Sequence, residues 1–204
     1  MIHEYYDGNS NSHFYGAFRS VGYLAEAKIP FPEQDDVLMD KLPPLLRTLL
    51  VTDGTVTKSL EAFYWEPVTV DVESLELMEA KHSIEWLNIK TGEKVLTRQV
   101  RLRGNYSNKI YATAFSVVRL SVMAANLREA LINGEIGIGV LIRDSGLESY
   151  REILDIRADR RPGQLYATDS GASAIDVVSR TYRIIAENQP MILITESFPW
   201  ELFE

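Results

Sequence analysis

Two ionisable residues sit on stretches that otherwise read as apolar, and chemistry would start there. In Val95-Leu96-Thr97-Arg98-Gln99-Val100-Arg101-Leu102-Arg103, a strand would turn Leu96, Arg98, Val100 and Leu102 to one face, because successive side chains point to opposite sides. Thr97, Gln99, Arg101 and Arg103 form the other face, which reads as solvated. Arg98 thus carries a permanent charge into a surface built for a core. A lone buried guanidinium is costly, so an anionic partner is expected. Its planar fork of donors suits a carboxylate best. In residues 191–198 the same alternation groups Ile192, Ile194 and Phe198 with Glu196. Two readings are open. Arg98 and Glu196 pair with each other and the anomaly is structural, or they flank a ligand, Arg98 gripping a carboxylate and Glu196 a hydroxyl at the other end.

Other chemistries find less support. The chain has no cysteine, which excludes disulfides and thiolate nucleophiles. His3, His13 and His82 are scattered, without the spacing of a metal site, so no metal is expected. Ser145 and Ser173 stand in no nucleophile elbow. The glycines of Glu135-Ile136-Gly137-Ile138-Gly139-Val140-Leu141-Ile142 suggest close backbone approach with bare amides. They do not make the G-x-G-x-x-G turn of a dinucleotide site, so no dinucleotide is expected. A net charge of -8 argues against nucleic acid or an anionic membrane surface as main partner. No apolar run approaches the roughly 18–20 residues of a membrane span. The opening Met1-Ile2-His3-Glu4-Tyr5 has neither a basic nor an apolar leader segment. The expectation is a cytoplasmic protein acting on a small molecule.

The elements that must position Arg98 and Glu196 follow from periodicity. A length of 204 residues suits one sizeable domain. Residues 1–35 are rich in Gly, Ser, Asn and aromatics. They read as an irregular N-terminal arm, flexible ahead of about residue 12, with Phe14, Tyr15, Phe18 and Tyr23 packing on the body; residues 36–204 form the domain. Leu42, Leu45, Leu46, Leu49 and Leu50 recur at helical spacing behind Pro43-Pro44 and stop at Asp53-Gly54. Thr55 or Thr57 caps a second helix containing Leu60, Glu61 and Phe63. From Pro67 the period becomes two, with Val68, Val70 and Val72 on one strand face. A short connection through Gly104-Asn105 leads from the Arg98 strand to another at 110–118, so those two are antiparallel neighbours. Ser121 caps a helix carrying Leu120, Met123, Ala124, Leu127, Ala130 and Leu131. A strand at 147–157, a polar loop or flap at 158–174, and two strands at about 179–187 and 191–198 complete the chain.

Four segments in this order resemble a known family. They are Leu49-Leu50-Val51-Thr52-Asp53-Gly54-Thr55-Val56-Thr57-Lys58-Ser59-Leu60-Glu61, then Arg98-Gln99-Val100-Arg101-Leu102, then Ile138-Gly139-Val140-Leu141, and last Gln189-Pro190-Met191-Ile192-Leu193-Ile194-Thr195-Glu196-Ser197-Phe198-Pro199. Together they resemble the chorismate pyruvate-lyases, or 4-hydroxybenzoate synthases, and their chorismate-lyase-like relatives, over about residues 42 to 199. The resemblance implies an α+β fold with a single antiparallel β-sheet, helices packed against it and a closed site over the sheet. It implies conversion of chorismate to 4-hydroxybenzoate and pyruvate by elimination of the enolpyruvyl group, without metal or cofactor. The family's carboxylate-binding arginine falls on Arg98 and its hydroxyl-binding glutamate on Glu196. Its apolar ring contacts fall on Val56 and on Ile138, beside Gly139; Val56 and Ile138 depart from the Met and Leu of the best-known branch. Loop 158–174 would be the lid. The same fold also resembles the effector-binding domain of a class of bacterial transcription regulators. The alternative is therefore a non-catalytic sensor of a small aromatic acid, although residues 1–41 are too short and irregular for a helix-turn-helix.

Overall fold

A computed structural model describes residues 27–32, 34–133, 137–166 and 174–204. The aromatic residues expected in the arm, its tail, His3, His13, Ser173 and the centre of the expected lid lie outside the described residues. The described chain begins with a small antiparallel pair, β1 (Lys28–Ile29) and β2 (Val37–Leu38). Ile29 and Phe31 are buried in the same core as the first helix, so this stretch is tied to the body.

Helix α1 (Pro44–Val51) starts on the proline, whose fixed φ suits a first turn, and buries Leu46, Leu49 and Leu50. Helix α2 (Val56–Tyr64) follows, with Thr55 at its N-cap position but making no side-chain capping bond. It buries Val56 and Leu60 and ends at Trp65 in the left-handed region. Strands β3 (Val68–Glu79), β4 (Lys94–Gly104) and β5 (Ile110–Arg119) then form a meander. Leu120 and Met123 are both pinned in the core, and the chain turns between them in a 3-10 segment, Leu120–Val122. Ser121 lies in that turn and caps nothing; helix α3 (Ala125–Ile132) starts from Ala124 instead.

Residues 134–136 lie outside the described residues, and the glycine-containing stretch beyond them is helical. Helix α4 (Ile138–Asp144) starts from Gly137, and its apolar face buries Leu141 and Ile142. A Cβ on Gly139 would meet the Thr55 methyl carbon at 3.4 Å, an ordinary contact, so α4 passes beside the start of α2. Strand β6 (Ser149–Pro162) continues into the segment expected as a flap. It does so because it pairs with β7 (Ala174–Ala186) as far as Pro162↔Ala174. Strand β8 (Gln189–Pro199) returns through a tight turn with Glu187 and Asn188 at φ 50 and 60, the left-handed pair that suits right-twisted hairpins.

The six long strands form one antiparallel sheet, ordered β3-β4-β5-β8-β7-β6. The face carrying Leu96, Arg98, Val100 and Leu102 is covered by the four helices, β1–β2 and the C-terminal turn Trp200–Phe203. The opposite face is also covered. The β3–β4 connection folds back over it, packing Ala80, Ile84, Leu87 and Ile89 on Val95, Phe115, Val117 and Leu193. The face expected to be solvated is therefore a second, partly polar layer. Thr97 is buried there, Gln99 and Arg101 are half-buried and bind Glu73, and Arg103 forks onto Asp71 at 2.7 and 3.3 Å.

Candidate active site

Arg98 and Glu196 face the same side of the sheet on different strands. Arg98 pairs with Ser116, and Glu196 with Ala114, so β5 runs between them. At normal sheet spacings this is about 10 Å across and about 7 Å along the strands, or roughly 12 Å between Cα atoms. Between them lies a cavity of about 260 Å³. Arg98, Val100, Ser116, Ile194 and Glu196 floor it, and the first turns of α2 and α4 roof it. Val56, Ile138 and Gly139 all line this roof. The five residues singled out by sequence thus converge on one cavity.

The two charged residues do not pair. Arg98 is only 4% exposed, its Nε is buried without a partner, and no carboxylate among the described residues bridges it. Burial pulls its pKa below the usual guanidinium value, with no opposite charge acting against that. Glu196 is served instead by Arg180, directly across on β7. Arg180 is 1% exposed; its Nε donates to Glu196 Oε2 at 2.8 Å and its Nη1 to the Thr52 carbonyl at 2.7 Å. Tyr182 supports the same carboxylate, its hydroxyl lying 3.3 Å from Oε1 and its ring 4.8 Å from the Arg180 guanidinium carbon. Burial, then the Glu196 charge, pushes the Tyr182 phenol well up. It therefore remains a protonated donor.

Arg180, absent from the residues singled out by sequence, carries the same signal as the other two. Val178, Arg180, Tyr182 and Ile184 alternate as Arg98 does among its leucines and valine. Arg151 on β6 also lines the cavity, opposite Ile184, with Nη1 on the Asp53 carbonyl and the guanidinium against Tyr182. Arg98 and Arg151 line the floor with one carboxylate, Glu196, whose charge is answered from behind by the buried Arg180. The ions at the mouth cancel locally, Lys58 with Glu61 and Arg143 with Asp144. The cavity floor keeps an excess of two positive charges, an arrangement that favours an anion. A larger hollow of about 450 Å³ lies on the opposite face beside Thr97, Met78 and Phe115. There Arg101 is already answered by Glu73 at 2.6 Å. The uncompensated charge distinguishes the smaller cavity.

Residues 50–204 match the family model described as chorismate pyruvate-lyase Rv2949c-like. The chain belongs to that family. It is 30% identical over 167 residues to the chorismate pyruvate-lyase of Mycobacterium leprae, covering 80% of this chain and 78% of that one. Its identity to the chorismate pyruvate-lyase of Mycobacterium tuberculosis is 25% over 166 residues, covering 80% and 83%. Among solved structures, PhnF from Mycobacterium smegmatis matches with a TM-score of 0.58 at 12% identity, over 74% of this chain and 65% of that chain. The PhnF effector domain alone gives 0.55 at 12% identity, over 72% and 90%. At that identity the likeness is one of fold: an α+β domain on a dominant antiparallel sheet, shared with the effector domain of PhnF.

Proposed function

We propose that this chain is a chorismate pyruvate-lyase that works without metal or cofactor. One observation carries the reading: a buried Arg98, without a carboxylate partner among the described residues, faces a small cavity whose far end presents Glu196 in a chain of this family. Chorismate is a cyclohexadiene with a carboxylate on C1, a hydroxyl on C4 across the ring and an enolpyruvyl ether on C3. Arg98 forks onto the ring carboxylate. Glu196, held by Arg180 and Tyr182, accepts a hydrogen bond from the C4 hydroxyl. Val56, Val100, Ile138 and Ile194 wall the ring between them.

The reaction needs no outside reactant. The C3–O bond breaks, the C4 hydrogen passes to the methylene carbon of the departing enolpyruvyl group, and the ring aromatises. The products are 4-hydroxybenzoate and pyruvate, which together hold every atom of the substrate. Since aromatisation supplies the driving force, the protein's task is to hold the dianion in its reactive conformer and keep water out. Positioning by two fixed ends suits that task.

The same geometry also serves a second reading, a non-catalytic domain that binds a small aromatic acid. Both oxygens of Glu196 are already engaged, by Arg180 and Tyr182, which suits an anchor better than a base. Incubation with chorismate separates the two. Equal amounts of 4-hydroxybenzoate, followed by absorbance, and pyruvate, followed by a coupled assay, support the lyase. Saturable binding of 4-hydroxybenzoate with no turnover supports the sensor, and neither turnover nor binding overturns both.

A further inference from the structure

Among the described residues no carboxylate bridges Arg151, and its buried Nε donates to nothing. Its sequence neighbour Glu152 points to the other face of the sheet, where it binds Arg183 at 2.6 Å. One arm of Arg151 is anchored, Nη1 donating to the Asp53 carbonyl, so the guanidinium is held against Tyr182 rather than swinging into solvent. Arg180, behind the floor, answers Glu196, which leaves Arg98 and Arg151 as the cavity's two guanidiniums without a carboxylate partner among the described residues.

We propose that Arg151 grips the second carboxylate of a dianionic ligand, the one carried by the ether side chain. The inference rests on the lyase reading of this cavity and assigns it a further binding residue. Ligand shape supports it. With the ring carboxylate on Arg98 and the C4 hydroxyl on Glu196, the ether on C3 is adjacent to the Glu196 end and displaced from the axis joining the two. Arg151 approaches that end: it lies against Tyr182, whose hydroxyl reaches Glu196, and its strand is two beyond β8 in the sheet. A charge-assisted contact there is made by the substrate and lost when pyruvate leaves. 4-Hydroxybenzoate, with one carboxylate, engages Arg98 and leaves Arg151 unmatched. Arg151 therefore discriminates substrate from product by charge.

The test compares two ligands in Arg151→Gln and Arg151→Lys. Glutamine keeps a donor for the Asp53 carbonyl, and lysine keeps the charge if the glutamine variant folds poorly. Chorismate KM, or its Kd if no turnover occurs, should rise by about 10- to 100-fold in Arg151→Gln and by less in Arg151→Lys. The Kd of 4-hydroxybenzoate should change by less than about twofold, since a single-carboxylate ligand does not use this residue. A parallel loss of both ligands in folded protein, or an unchanged chorismate KM, overturns the assignment. A wild-type protein that binds neither ligand refutes the lyase reading itself, and this inference with it. Wild type that binds both without turnover leaves the ratio of Kd values as the deciding number.

Discussion

Replacing Arg98 with methionine should leave the fold at least as stable while making the cavity blind to carboxylates. The guanidinium is 4% exposed and, among the described residues, meets no carboxylate and leaves its Nε without an acceptor. A buried, unmet donor costs about 1–3 kcal/mol, and methionine keeps much of the packed stem. The variant should therefore range from unchanged to about 3 kcal/mol more stable. At about 2–4 °C per kcal/mol for a chain of this size, that is a Tm up to roughly 10 °C higher. Binding should move the other way. A forked carboxylate makes two charge-assisted bonds of about 1.5–3 kcal/mol each. Allowing for incomplete additivity, about 3–5 kcal/mol is lost, or roughly a 100- to 5,000-fold weaker Kd for 4-hydroxybenzoate. Arg98→Lys should recover only part, because a point charge cannot fork. Thermal or urea melts beside isothermal titration decide the matter. If Arg98→Met costs 3 kcal/mol or more, or leaves affinity unchanged, Arg98 serves the fold and the reasoning fails.

Arg180 should behave in the opposite way. Arg180→Met strands the buried Glu196 and should cost about 3–5 kcal/mol in urea melts, and adding Glu196→Leu should restore most of it. Gly104→Ala should destabilise by about 1–3 kcal/mol, since a Cβ there would lie 2.6 Å from both Glu66 Oε1 and Ser107 Oγ. Burial alone would raise the pKa of Glu66, but hydrogen bonds from Tyr111, Ser107 and Tyr106 outweigh it and hold the carboxyl at about 2 against 4.5. A folded pKa below the unfolded one stabilises the protein above about pH 4.5, and that contribution fades as pH falls towards 2. Melts across this window should show the acid loss in wild type and a flatter profile in Glu66→Gln.

Much of the site was legible because one charged residue on an apolar strand face is a strong signal. Arg98 and Glu196 were found by alternation alone, and both line the cavity. Alternation does not say which buried charge meets which. That depends on strand order, and β7 rather than β4 lies beside β8, so Arg180 holds Glu196. Nor does it distinguish water from a polar second layer. Thr97, Gln99 and Arg101 read as solvated because nothing in their own spacing reports that residues 80–84 fold over them. Gly137 and Gly139 suggested close backbone approach with bare amides, yet Leu141 and Ile142 find a core to enter and the segment becomes a helix. Ser121 looked like a cap, but burial of Leu120 and Met123 on either side of it fixes a turn there first. In each case local chemistry was read correctly and a distant part of the chain decided the outcome.

The most direct test of the site is a crystal structure with 4-hydroxybenzoate bound. The ring should lie between α2 and the sheet, with its carboxylate forked on Arg98 and its hydroxyl on Glu196. Arg151 should be left without a ligand contact. A ligand reversed end for end, one held by Arg151 or Arg180 with Arg98 unoccupied, or one seated in the hollow beside Phe115 on the opposite face would contradict the account.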